Sequence, residues 1–263
     1  AALNIHGKTR IIENVLTRDH TERLLKFLGV KVNIKKINNS RNEIELNGPI
    51  EIKSKNIEVA GDPSSASFFV VGALIIPNSK IILKNIMLNP SRIAFLKILK
   101  KMGGKIKIKK TKNICGEEVG SITAEYSKLK GIKIPSSSSA FLIDEYPILS
   151  IAASQARGKT VMKGLNELRY KESDRIKSII YNFKHLGIDA HEKNNNLSIN
   201  GKKLELEKSV KIKSFDDHRI AMSFSILNIL CQNKLKIDNQ KCIAISYPDF
   251  KKHLKFLLKK INA

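Results

Sequence analysis

Apolar positions along the chain alternate between two periods. Ile176, Ile179, Ile180 and Phe183 recur at the spacing of an amphipathic helix, and similar patterns predict helices over 64–75, 90–102, 145–156, 172–186, 217–230 and 248–260. Short runs with the two-residue period of a strand lie between them, at 9–13, 43–46, 80–83, 121–124, 160–163, 197–199 and 234–237, with brief lead-in strands at 132–134 and 210–212. Three amphipathic helices close on glycine, at Gly29, Gly103-Gly104 and Gly187, where a helix end uses a left-handed residue. An alternating strand follows each of these glycines, and then a second. The order strand, helix, strand, helix, strand pair defines a βαβαββ unit that repeats along the chain. Such alternation predicts a mixed α/β (α+β) fold.

The first unit starts only at strand 9–13, and the last stops after helix 248–260 without its strand pair. A chain that opens on Ala-Ala-Leu and closes mid-unit is expected to be a piece of a longer protein. The turn Gly61-Asp62-Pro63 is the expected domain boundary. Residues 1–60 then form the remnant, last unit of a first globular domain. Residues 61–263 form a second domain of three units, the last incomplete. Pro135 and the serines 136–139 predict a loop within it.

Composition narrows the function classes. The formal net charge of +24 suggests nucleic-acid binding. However, the 39 lysines are spread along the whole chain, only 9 basic residues are arginine, and there is no tryptophan to stack on bases. This is a compositional bias rather than a binding stripe, and no nucleic-acid partner is expected. The longest apolar run, 68–76, is broken by Gly72 and stops at Pro77, too short to span a bilayer, so no membrane partner is expected either. Cys115, Cys231 and Cys242 lack metal-ligand spacing, which predicts a reducing, cytoplasmic setting and no metal site.

With arginine scarce, its positions carry information: four of the nine fall in charged motifs. Arg169-Tyr170-Lys171-Glu172-Ser173-Asp174-Arg175 sets three cations and a carboxylate at the expected start of a helix, where unpaired N–H groups favour anions. A solvated helix start in which Glu172 and Arg175 merely pair is the plainer reading. Ser214-Phe215-Asp216-Asp217-His218-Arg219 places two acids before a helix whose first turn carries His218 and Arg219, an unfavourable position for cations unless an anion sits there. Thr17-Arg18-Asp19-His20 repeats the theme. Asp62 or Ser64 caps helix 64–75, and Asp144 either caps helix 145–156 or is a partly buried general base. Together these residues suggest anionic substrates and acid–base chemistry without a metal.

At these motifs the chain resembles the 5-enolpyruvylshikimate-3-phosphate synthase (3-phosphoshikimate 1-carboxyvinyltransferase) family, in its bacterial form with a KESDR motif. The resemblance rests on Leu16-Thr17-Arg18-Asp19-His20-Thr21-Glu22, Gly61-Asp62-Pro63-Ser64-Ser65-Ala66-Ser67-Phe68-Phe69, Ile143-Asp144-Glu145, the 169–175 motif, Asp217-His218-Arg219-Ile220-Ala221-Met222 and Tyr247-Pro248-Asp249-Phe250, in family order. It implies a two-domain fold of βαβαββ units, truncated here at the N-terminus. It also implies transfer of the enolpyruvyl group of phosphoenolpyruvate to the 5-hydroxyl of shikimate 3-phosphate, with release of phosphate and no cofactor, in the pathway to chorismate and aromatic amino acids. By resemblance, Arg18, Asp144 and Lys171 contact shikimate 3-phosphate, and Arg175 and Arg219 clamp phosphoenolpyruvate. Asp144, Glu172 and His218 are the implied catalytic residues, Asp144 as proton acceptor and Glu172 at the phosphoenolpyruvate methylene. Ile245 stands where many family members carry a lysine, a mark of the KESDR subclass. The family's N-terminal Lys-Ser and Arg ligands have no counterpart and are expected upstream of Ala1. The implied full-length protein is a monomer. The alternatives are a non-catalytic fragment needing a complementing N-terminal half and a basic nucleic-acid-binding protein.

Overall fold

A computed structural model describes residues 1–259. Its N-terminal part pairs strands β1 (Gly7–Glu13), β2 (Asn33–Lys36) and β3 (Asn42–Gly48) in the antiparallel order β1-β3-β2, with helix α1 (His20–Phe27) between β1 and β2. Helix α2 (Pro63–Ile75), strand β4 (Lys80–Met87), helix α3 (Ala94–Lys101) and strands β5 (Lys105–Ile114) and β6 (Glu117–Glu125) follow, the strands forming the antiparallel sheet β4-β6-β5. The next unit comprises β7 (Lys133–Ile134), α4 (Ser139–Leu142), α5 (Tyr146–Ser154), β8 (Lys159–Met162), α6 (Arg175–His185), β9 (Ala190–Lys193) and β10 (Asn196–Asn200), in sheet order β7-β8-β10-β9. The last runs through β11 (Val210–Ile212), α7 (His218–Leu230), β12 (Leu235–Ile237), α8 (Ile243–Ser246) and α9 (Phe250–Lys259), with β11 and β12 paired in parallel. The repeated unit read from the sequence is thus present. Residue Lys260, the end of the last predicted helix, lies outside the described residues.

The inner helices explain how the core forms. Helix α2 buries 12 of its 13 residues and α5 buries all nine, so each is apolar around its whole circumference and must be surrounded by protein. Helices α2, α5 and α7 pack against one another, and the sheets and amphipathic helices cover them. Phe250 at the start of α9 packs on Phe68 and Phe69 of α2, with ring centroids 6.1 and 5.6 Å apart. The glycines that close α1, α3 and α6 have φ of +92° (Gly29), +96° (Gly103) and +65° (Gly187), conformations that a Cβ disfavours.

Three expectations are corrected. The helix predicted over 172–186 starts at Arg175: the Asp174 carboxylate accepts the Lys177 N–H and caps it, and Lys171 is extended, so Lys171 and Glu172 lie in the preceding loop. The helix predicted over 90–102 starts at Ala94, because Asn89 accepts the Ser91 N–H and closes a turn first. The serine run is not a loop but a short 3-10 turn, Ser136–Ser138, leading into α4.

Candidate active site

Four segments far apart in sequence bring their charged groups together, at the starts of α5, α6 and α7 and just before α1. Asp144 is at the centre. Arg18 Nη2 donates to Asp144 Oδ2, and Arg219 Nη2 is 3.6 Å from the same oxygen. Arg175 Nη1 lies 3.6 Å from Oδ1, and Arg219 Nη1 also donates to the Asp144 carbonyl at 3.1 Å. Burial alone would raise the Asp144 pKa, but Arg219, Arg18 and Arg175 outweigh it and lower it to about 2. Asp144 is therefore ionised at neutral pH, and its carboxylate serves the arginines rather than capping α5.

Arg175 is fully buried. Its Nε donates to Asp217 Oδ2 at 2.8 Å and its Nη2 to Glu172 Oε2 at 2.5 Å. Its Nη1 has no hydrogen-bond acceptor among the described residues. A buried guanidinium N–H without a hydrogen-bond acceptor costs about 1–3 kcal/mol, and here the Asp144 carboxylate at 3.6 Å offsets part of that cost by charge alone. Asp217, also fully buried, does two jobs: Oδ2 holds Arg175 while Oδ1 accepts the Arg219 N–H at 2.8 Å and caps α7. The cap was legible in the sequence; the hold on Arg175, 42 residues away, was not.

His218 lies beside this pair, with Nδ1 3.9 Å from Glu172 Oε1. Burial first, and then the neighbouring Arg219 charge, lower the His218 pKa below the usual imidazole value, so the ring is neutral at pH 7. The Glu172 side chain is about half exposed, at 46%. The structure thus groups Arg18, Asp144, Glu172, Arg175, His218 and Arg219. Lys171 is exposed on the adjoining loop and forms no ion pair among the described residues. Arg169, which opens the same motif, turns away: it pairs with Asp174 at 2.8 Å and Glu192 at 2.6 Å and so pins the loop. At α2 it is Asp62 that caps, accepting the Ser65 N–H at 2.8 Å, while Ser64 donates to buried Glu145 at 2.5 Å.

A mixed α/β fold whose helix starts converge on a cluster of three arginines and three carboxylates defines a class: proteins that handle small anions by positioned charge and proton exchange. The family model for EPSP synthase (3-phosphoshikimate 1-carboxyvinyltransferase) matches residues 1–254, and the chain belongs to that family. The 3-phosphoshikimate 1-carboxyvinyltransferase of Persephonella marina is 40% identical over 259 residues, covering 98% of this chain and 59% of the relative. That of Zymomonas mobilis is 43% identical over 254 residues, covering 95% and 56%. An EPSP synthase structure from Acinetobacter baumannii superposes with a TM-score of 0.82 at 36% identity, over 95% of this chain and 57% of that one. The enolpyruvyl transferase NikO from Streptomyces tendae shares the fold, with a TM-score of 0.72 at 17% identity. The chain therefore spans less than two-thirds of the length of each of these relatives.

Proposed function

We propose that this chain supplies a large part of the active site of a 3-phosphoshikimate 1-carboxyvinyltransferase, with the two-domain division falling at Gly61. The observation that carries the reading is the convergence of Arg18, Arg175 and Arg219 on Asp144, in a chain of this family. Arginine is planar and permanently charged, suited to a two-pronged grip on carboxylate and phosphate. Arg18 and Lys171 receive shikimate 3-phosphate, and Arg175 and Arg219 receive phosphoenolpyruvate.

The reaction is an addition followed by an elimination. The 5-hydroxyl oxygen bonds to C2 of phosphoenolpyruvate, its proton passing to Asp144, while C3 gains a proton from Glu172 to become a methyl group. The tetrahedral adduct then loses phosphate from C2, which leaves with the proton held by Asp144, and a proton from C3, which returns to Glu172, leaving the enolpyruvyl ether. Asp144 held near 2 is a poor base. Substrate anions that engage the arginines weaken that hold and raise its basicity, so binding itself arms the residue. Neutral His218 stands beside Glu172 and adds no competing positive charge there.

Calorimetric titration with each substrate tests the assignment. Arg219→Ala is expected to weaken phosphoenolpyruvate binding at least tenfold and to leave shikimate 3-phosphate binding within threefold. Unchanged phosphoenolpyruvate affinity would remove Arg219 from the clamp.

A further inference from the structure

A second polar cluster, outside the site above, joins the α1 region to the rest of the molecule. Asp19 accepts from Asn89 Nδ2 at 2.7 Å and from Arg23 Nε at 2.8 Å. Glu117 accepts from the same Asn89 nitrogen at 2.9 Å and pairs with His20 Nδ1 at 2.6 Å. Arg23 also reaches the Gly116 carbonyl at 3.1 Å. On the other side of the imidazole, Arg92 Nη1 faces His20 Nε2 at 3.3 Å, and Arg92 Nη2 donates to Asp62 at 2.7 Å and Ser64 at 3.0 Å. Arginine can only donate, so Nε2 accepts and the Nδ1–H is left to donate to Glu117. The ring is therefore a two-sided bridge between Glu117 and Arg92.

Asp19, His20 and Glu117 are close enough together to suggest a metal site. Their oxygens are already taken by Asn89, Arg23 and His20, and two guanidinium groups flank the triad. Such surroundings repel a cation. What the cluster does is fix the short segment 18–23, and Arg18 at its head is the residue that crosses to Asp144.

We propose that Asn89, Arg92 and Glu117 are positioning residues that moor the start of α1 through Asp19, His20 and Arg23, and thereby set Arg18 against Asp144. The role in binding rests on the reading of Arg18 as a shikimate 3-phosphate ligand; the mooring itself does not. Arg92 further connects the mooring to the reaction site, since Ser64, which it contacts, also holds Glu145 next to Asp144.

The test combines amide hydrogen exchange by mass spectrometry with shikimate 3-phosphate titration of wild type, Arg92→Met, Glu117→Gln, Arg18→Ala and the Arg18→Ala/Arg92→Met double variant. Exchange across 19–27 is expected to speed at least tenfold in Arg92→Met and in Glu117→Gln, with α5 and α7 unchanged. Arg92→Met is expected to weaken shikimate 3-phosphate at least tenfold, and the double variant to be no weaker than Arg18→Ala alone. Unchanged exchange at 19–27 in both single variants overturns the mooring. Losses that multiply in the double variant overturn its action through Arg18. If wild type does not bind shikimate 3-phosphate while exchange at 19–27 still speeds, the mooring stands and the substrate reading fails.

Discussion

Arg175 and Asp217 are both fully buried and 2.8 Å apart, so removing Asp217 leaves the buried Arg175 Nε without its acceptor, with Glu172 and Asp144 still beside the guanidinium. Asp217→Ala is expected to cost about 3–5 kcal/mol in urea denaturation, more than a lost helix cap. Asp144 gives a pH signature. Its pKa falls from 3.8 to about 2 on folding, so its contribution is complete above about pH 4 and is lost as pH drops towards 2. Asp144→Asn is therefore expected to be less stable than wild type at pH 7, with the gap closing over that window; a gap that stays constant from pH 7 to 2 would contradict the depressed value. Glu172→Gln keeps the size and the hydrogen bond from Arg175 but loses the transferable proton. Turnover should fall by about 10²–10⁴-fold with shikimate 3-phosphate affinity retained, read from phosphate release and calorimetry. Near-wild-type turnover would take Glu172 out of the mechanism. The candidate residues themselves were legible in the sequence because arginine is rare here and marks its motifs. Arg92 escaped notice: it sits in no charged motif, and its partners His20 and Asp62 are distant in sequence.

At the scale of elements, helices α2, α5 and α7 were legible because long apolar runs with small residues have few alternatives to a buried helix. The start of α6 was not. Periodicity alone extends the helix back to residue 172, but Asp174 captures the Lys177 N–H and ends the pattern three residues later. That difference matters, because it leaves Lys171 and Glu172 on a loop pinned by Arg169 rather than on a rigid turn. Asp174→Ala removes both the cap and the Arg169 partner. It is expected to cost about 1–2 kcal/mol by urea denaturation, with faster amide exchange confined to 170–178. Within one unit, the chain after β10 returns closely past the end of α5: a Cβ at Gly201 would lie 1.7 Å from the Ala156 carbonyl oxygen. Backbone must shift to admit it, so a large loss of thermal stability is expected for Gly201→Ala.

Over the whole molecule, the repeating unit was readable from alternating periods, but the site was not. Arg18 and Asp144 are 126 residues apart, and no local pattern says that they meet. Only the family resemblance put them together, and the fold supplies the physical reason: the starts of α5, α6 and α7 and the segment before α1, each with a charged residue, face one place. The chain spans 56–59% of the lengths of the relatives described above. The central claim is therefore tested on the chain alone and after addition of the part of a relative that the match does not cover. The measurement is phosphate released from phosphoenolpyruvate in the presence of shikimate 3-phosphate. Release that depends on both substrates, in either condition, and that is abolished by Arg175→Met in this chain, is the predicted result. A folded chain that releases no phosphate in either condition would contradict it.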